Sequence, residues 1–587
     1  ASAVAWDARS EEQGGQRWFH LQPDAAGKPD DVLHWTKGAY QWNFMCADCH
    51  STAVQKNYDP VTRSYQTEFA ELTVGCEACH GPGSAHLANP TQMLGLTTQE
   101  QQLNACAPCH SRRGQLAEGF SPSEPFLNHY LPALLEEGLY HADGQILDEV
   151  YVYGSFLQSK MHQRGVSCSD CHDVHSGELH LEGNAVCTQC HNASGRADYP
   201  TLPLADFDNP SHHFHEADTT GAQCVNCHMP EQTYMVVDDR RDHSFRVPRP
   251  DLSATTGAPD ACSACHSERS ANWASEAIAK HHPTADAPHY GTLITRARAA
   301  EPSVEAELAT LAEDTTQPGI VRATALSLMT AYDRGWSSDA ISNGLRDADP
   351  LVRIGALRGA NRWPPAKRWQ KASALLRDEL LAVRVEAART LANTYAELVP
   401  VDQATLRLGL EEYLQTLALN ADRAESQSSM ASVHLAMGEI PVAENALRTA
   451  LSLNPQWVPA MVNLADLYRA TGRDTQAGPL LDRALEAAPE AADVLLAKGL
   501  WLVRQQRAEE ALPLLRSATE LAPQVQRYAY IYAVALHSLG QSEAALSILD
   551  ELLEAAGNDR QLLEAAASIA RDAGLADRFE AYARRIR

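Results

Sequence analysis

Every one of the fourteen cysteines in this chain belongs to a Cys-x-x-Cys pair followed directly by histidine. The pairs are Cys46/Cys49 with His50, Cys76/Cys79 with His80, Cys106/Cys109 with His110, Cys168/Cys171 with His172, Cys187/Cys190 with His191, Cys224/Cys227 with His228, and Cys262/Cys265 with His266. Two thiols a helical turn apart can add to the two vinyl groups of a haem. The histidine beside the second thiol then reaches the iron as its proximal ligand. A disulfide framework or a set of zinc ribbons also uses paired cysteines, but neither requires a histidine after all seven pairs. The pattern therefore predicts seven covalently bound haem c groups.

Fifteen further histidines precede residue 290: His20, His34, His86, His129, His141, His162, His175, His180, His212, His213, His215, His243, His281, His282 and His289. Against them stand five methionines, Met45, Met93, Met161, Met229 and Met235. Irons with two histidine ligands are expected to dominate, which favours low reduction potentials; Met161 and Met235 stay open as exceptions. Four histidines are singled out by position as second iron ligands. His162 lies six residues before Cys168, His175 three after His172, His86 six after His80, and His243 follows the sixth motif. His34, His141, His180, His215 and His282 are the further candidates. The run His212-His213-Phe214-His215 is expected to supply one ligand, its other histidines serving as hydrogen-bond donors. A surface or hydrogen-bonding role is the alternative for each.

Ligand count separates two chemistries. With all irons six-coordinate the protein only moves electrons, whereas one open iron would admit a small molecule. An open site needs donors for protons and developing charge, for which Tyr151, Tyr153, Arg112, Arg113 and His141 are candidates; ordinary packing is their alternative.

Three stretches resemble a known superfamily. They are Val74 to His86 around the second motif, Gly165-Val166-Ser167-Cys168 to His172, and Cys227-His228-Met229-Pro230 with the later Asp242-His243-Ser244-Phe245. They are similar to the multihaem group of pentahaem nitrite reductases, octahaem hydroxylamine oxidoreductases and tetrahaem electron carriers. The whole layout resembles bacterial multihaem cytochromes fused to tetratricopeptide repeats. The resemblance implies that His162, in a His-x-x-Gly-Val-x-Cys pattern, is a distal ligand. Two departures matter. No Cys-x-x-Cys-Lys motif of the nitrite reductases occurs here, and the octahaem enzymes carry one more haem. Fused relatives place another motif upstream of Arg17-Trp18-Phe19-His20, which implies an eighth haem on a preceding segment.

The elements that must hold these groups follow from their density. The motifs begin at 46, 76, 106, 168, 187, 224 and 262, too little polypeptide to enclose each porphyrin separately. The haems are expected to form much of the core, with short helices and loops between them. Beyond residue 300 the sequence repeats. Val321-Arg322, Val352-Arg353 and Val383-Arg384 recur every 31 residues, as in short HEAT-like helix pairs. From about residue 422 the period is 34: Gly438, Gly472, Gly540 and Gly574 share a phase in which Gln506 fills the gap. Ala450, Ala484 and Ala518 share a second phase and Pro455, Pro489 and Pro523 a third, the tetratricopeptide signature. His434 and His537, inside these repeats, are expected to pack and not to ligate.

The predicted fold class is mainly α. A multihaem cytochrome domain with little regular structure (residues 1–290) is followed by HEAT-like helical repeats (291–400) and a tetratricopeptide α-solenoid (401–587). The formal charge of −27 argues against a nucleic-acid partner, because a polyanion would be repelled. No transmembrane segment is expected, and haem attachment of this kind implies export to the periplasm or cell exterior. The expected role is electron transfer through closely packed haems, with the solenoid docking a redox partner protein or a further copy of the chain. Two alternatives stay open: an oxidoreductase acting on a small nitrogen or sulfur species at a five-coordinate haem, and a subunit of an extracellular cytochrome filament.

Overall fold

Alanine and leucine at helical intervals give the C-terminal part its rhythm. In the structure, a computed structural model describing residues 3–23, 29, 33–90, 95–282, 288–332 and 335–586, the first helices of five successive pairs begin at Ala424, Val458, Ala492, Gln526 and Arg560. These starts keep the 34-residue period throughout. Small residues let the two helices of a pair close on each other: Ala443, Ala477, Ala511 and Ala545, and likewise Ala450, Ala484 and Ala518, have no exposed surface. The first helix of four pairs ends on a left-handed glycine, with φ of 78° at Gly438, 74° at Gly472, 77° at Gly540 and 71° at Gly574. In the third pair Gln506 takes the same conformation at φ 61°.

The chain divides into two compact units, residues 1–419 and 420–587, and the five pairs make up the second. Its cores run from Ala431, Leu447 and Leu464 to Leu549, Leu563 and Ala566.

In the first unit, helices Gly319–Leu328, Pro350–Gly359 and Leu381–Leu391 start 31 residues apart. Val321, Val352 and Val383 are fully buried at equivalent places. The arginine after each valine reaches forward to a carboxylate of the next repeat: Arg322 to Asp347, Arg353 to Asp378 and Arg384 to Glu412. Gly355 permits the closest approach, since a Cβ there would stand 2.2 Å from the Ala323 carbonyl oxygen.

The segment between the third and fourth motifs is the best-packed part of the N-terminal region. Phe126, Tyr130, Leu134, Tyr140 and Val150 are each almost wholly buried, and burial of each contributes about 1.5–3 kcal/mol. The same segment fastens onto the helices that follow. The Leu135 amide donates to Thr324 Oγ1 at 3.1 Å, the Leu381 amide to Asn128 Oδ1 at 3.0 Å, and Arg298 to the carbonyls of Leu135 and Tyr140 at 2.9 and 3.2 Å. Of the five two-stranded antiparallel pairs among the described residues, one (Arg113–Gln115 with Tyr130–Pro132) lies in this segment and four in the rest of the region, whose helices are at most 12 residues long. In total the protein is 57% helix and 7% strand.

Candidate functional site

Most Cys-x-x-Cys-His runs form one turn, while the third closes the helix Gln99–His110 and His172 of the fourth begins a strand. His50 and Cys49 donate their amides to the Cys46 carbonyl at 3.0 and 3.2 Å, and the same turn recurs at Cys187–His191 and Cys262–His266. None of the fourteen cysteines forms a disulfide.

The motifs lie against one another. Cys49 and Cys109 share a hydrogen bond, as do Cys106 with Cys168 and Cys187 with Cys224; together with burial, this pushes the Cys109, Cys106 and Cys187 thiols well up. Weaker charge effects tie Cys79 to Cys106, Cys171 to Cys190, and Cys227 to Cys262 and Cys265. The first and second motifs thus adjoin the third, from which the fourth, fifth, sixth and seventh follow without a break.

Four of the motif histidines face a second imidazole. His80 and His175 have ring centroids 6.1 Å apart, His172 and His243 6.4 Å, His228 and His212 6.2 Å, and His266 and His215 6.1 Å. Two imidazoles sharing one iron have centroids about 6.3 Å apart, since each metal–nitrogen bond is about 2 Å. Face-to-face stacking would bring the rings much closer. In three of these pairs the ring is aimed by its Nδ1–H: His243 donates to the Arg241 carbonyl at 2.9 Å, His228 to that of Arg246 at 2.8 Å, and His215 to that of His213. This leaves Nε2 for a metal. Burial pushes the pKa of His110, His162, His172, His191, His212 and His243 below the ordinary histidine value, keeping the rings neutral and able to ligate.

The run around Phe214 holds two facing histidines where the sequence suggested one. Asn209 caps the short helix Pro210–His213, and Phe214 at φ 55° breaks it, so His212 and His215 turn toward different motifs. His282, a candidate ligand by sequence, lays Nε2 on the His212 carbonyl at 3.1 Å and so steadies its neighbour. His180 likewise spends Nε2 on the Ser169 carbonyl at 3.0 Å. His34 bonds the Thr36 hydroxyl at 2.8 Å, and His86 sits on Ser84–Ala88, one turn past His80. His162 rests its ring edge-on against Phe156 at 5.5 Å, and its buried Nδ1 has no hydrogen-bond partner among the described residues. His141 is half-buried in the turn that closes on Gln145. His50, His110 and His191 have no second imidazole at about 6 Å among the described residues. Met93 lies outside the described residues.

Of the residues proposed for an open iron, Tyr151 and Arg112 lie together beside the third motif, Tyr151 bridged to Ser111 and within reach of the Arg112 charge; the others have partners of their own. Tyr153 is buried against Phe126 at 5.3 Å, and Arg113 is paired with Asp48. Tyr151, at φ 60°, lies beneath Arg240 at 5.2 Å. Arg112 lends its amide to the Val150 carbonyl.

Haem fits this frame on a further count. From residue 160 to 249 Ala222 is the one buried apolar side chain among the described residues. A stretch that buries so little of its own cannot offset its ordering entropy without a prosthetic core.

Comparison with known proteins agrees in part. Residues 16–81, which span the first two motifs, match the family described as cytochrome c554 and c-prime. Residues 429–492 and 496–560 match the tetratricopeptide repeat family. No curated protein matches. Among solved structures, YrrB, "a TPR protein with an unusual peptide-binding site", is 19% identical over 29% of this chain and 89% of its own, with a TM-score of 0.27. MamA from Desulfovibrio magneticus RS-1 is 20% identical over 28% and 93%, with a TM-score of 0.23. A thermophilic tetratricopeptide protein from Thermus thermophilus, TTC0263, is 21% identical over 31% and 98%, with a TM-score of 0.25. The chain thus carries a cytochrome c554-like haem segment at its N-terminal end and tetratricopeptide repeats at its C-terminal end.

Proposed function

We propose that this chain is a multihaem c-type cytochrome that passes electrons along a row of seven covalently bound haems and docks a redox partner protein through its helical repeats. Bound haem supplies one-electron chemistry at iron. The chain supplies the fourteen cysteines as thioether anchors and His50, His80, His110, His172, His191, His228 and His266 as proximal ligands. His175, His243, His212 and His215 act as second ligands opposite His80, His172, His228 and His266. For the other three irons the candidates are His34, His86, His141 and His162.

The observation that carries this reading is the set of four imidazole pairs, each at the spacing of a shared iron and each containing a proximal histidine. The unbroken adjacency of the motifs supports transfer along the row. In this reading residues 1–290 hold the haems, HEAT-like repeats of 291–400 support them, and 401–587 form the docking solenoid. Covalent haem attachment, in this reading, implies export to the periplasm or cell exterior; no described helix is long and apolar enough to cross a membrane.

A second reading, an oxidoreductase for a small nitrogen or sulfur species, rests on His50, His110 and His191, which lack a facing imidazole among the described residues. Electron paramagnetic resonance of the oxidised protein decides between them. Low-spin ferric signals alone, unchanged by nitrite, hydroxylamine or cyanide, are expected for the carrier. A high-spin signal that shifts with one of these ligands would overturn that reading in favour of the enzyme.

A further inference from the structure

The first and third motifs meet at a buried ion pair that neither haem attachment nor iron ligation uses. Asp48 lies between the two cysteines of the first motif, and Pro108 holds the equivalent stretch of the third. Arg113, on the strand Arg113–Gln115, bridges them. Its Nη2 pairs with the Asp48 carboxylate, its Nε donates to the Pro108 carbonyl at 2.8 Å, and Nη2 lies 3.6 Å from Cys49 Sγ. The guanidinium stacks over the Tyr130 ring at 4.1 Å, and the Tyr130 hydroxyl donates to Asp48 at 3.0 Å. The side chains of Arg113 and Asp48 are only 12% and 18% exposed. The two motifs touch at this point, with Cys49 Sγ 3.7 Å from the Pro108 carbonyl and Cys109 Sγ 3.9 Å from that of Cys49.

A full positive and a full negative charge therefore sit beside the anchoring sulfurs of two haem sites, shielded from water. Reduction of an iron adds one negative charge, so a nearby cation favours the reduced form and a nearby anion opposes it, the more so in a low-dielectric interior. While paired, the two charges largely cancel. Resting on the haem reading above, we propose that the Asp48–Arg113 pair sets the reduction potentials of the haems on the first and third motifs by balancing opposite charges at their shared edge. Tyr130 and the Pro108 carbonyl are its positioning partners: the carbonyl accepts the arginine Nε–H, and the tyrosine stacks on the guanidinium while its hydroxyl donates to the carboxylate.

The sign of the effect separates this role from a structural one. Arg113→Gln leaves the carboxylate alone beside the haems and lowers the midpoint potential of one or two components of the full-length haem-loaded protein. Asp48→Asn leaves the guanidinium alone and raises them. The double variant and Arg113→Lys return close to the unmodified protein. The measurement is a potentiometric titration followed in the visible bands, with haem counted in each sample by the pyridine haemochromogen spectrum. Opposite shifts at unchanged haem content are expected. Shifts of the same sign, no shift, or haem loss in both single variants would overturn the proposal. An unmodified protein that carries no haem would instead overturn the reading on which it rests.

Discussion

His243 shows how much one side chain is asked to do. Its Nδ1–H is held by the Arg241 carbonyl, its ring is buried and kept neutral, and its Nε2 is left facing the motif of His172. His243→Ala should therefore convert one low-spin ferric component to high spin and leave the others in place, as electron paramagnetic resonance would register. His289 carries a different demand. Burial, more than any nearby charge, lowers its pKa to about 4, and its Nδ1 accepts the Gly291 amide at 3.0 Å to start the helix Tyr290–Arg298. The unfolded chain takes up this proton near pH 6.5 and the folded protein only near pH 4. Stability is full above about pH 6.5 and falls between there and pH 4 by up to about 3 kcal/mol. His289→Asn keeps a capping acceptor without the titration, so denaturation between pH 7 and 4.5 should show a shallower loss than in the parent. The attachment residues were plain in the sequence because a covalent motif is local. The imidazole pairs were not, because His175 is 95 residues from His80 and His243 is 71 from His172. Spacing rules reach over a turn or two, and only packing decides which distant rings meet. Local reasoning therefore singled out His175 and His243 by position, beside His86 and His162, without showing which motif each would face, and it counted His215 but not His212 among the candidates.

At the scale of elements, the 34-residue period was the most legible feature, since each helix pair must bury the same faces against its neighbours. Even the exception was visible: Gln506 stands where four other repeats have glycine. Its left-handed backbone at φ 61° is the consequence, and a side chain held there costs about 1 kcal/mol. Gln506→Gly should stabilise the C-terminal unit by about that amount, seen as a higher midpoint in chemical denaturation followed by circular dichroism. An unchanged or lower midpoint would mean that the entropy glycine adds to the unfolded chain outweighs the relief. The arginine-to-carboxylate links along the 31-residue repeats were hidden, because the valine–arginine pairs recur visibly while their partners do not. Asp347 and Asp378 lie 25 residues beyond Arg322 and Arg353, but Glu412 lies 28 beyond Arg384.

For the molecule as a whole, two kinds of core share one chain. The helical repeats bury alanine and leucine of their own, whereas the region of the fourth to sixth motifs buries almost none. Composition foretold this split, with all cysteines before residue 270 and an alanine- and leucine-rich remainder. What composition could not show is that the segment from Phe126 to Phe156 carries a protein core of its own and clasps the helices beyond residue 290. The account stands or falls on the number of haems. Covalently attached haem survives denaturation, so intact-mass spectrometry of the purified, unfolded protein counts it directly. A mass in excess of the polypeptide by seven haem groups, with no thiol left to alkylate, is the predicted result; fewer haems, with free thiols at any of the seven motifs, would contradict the continuous row.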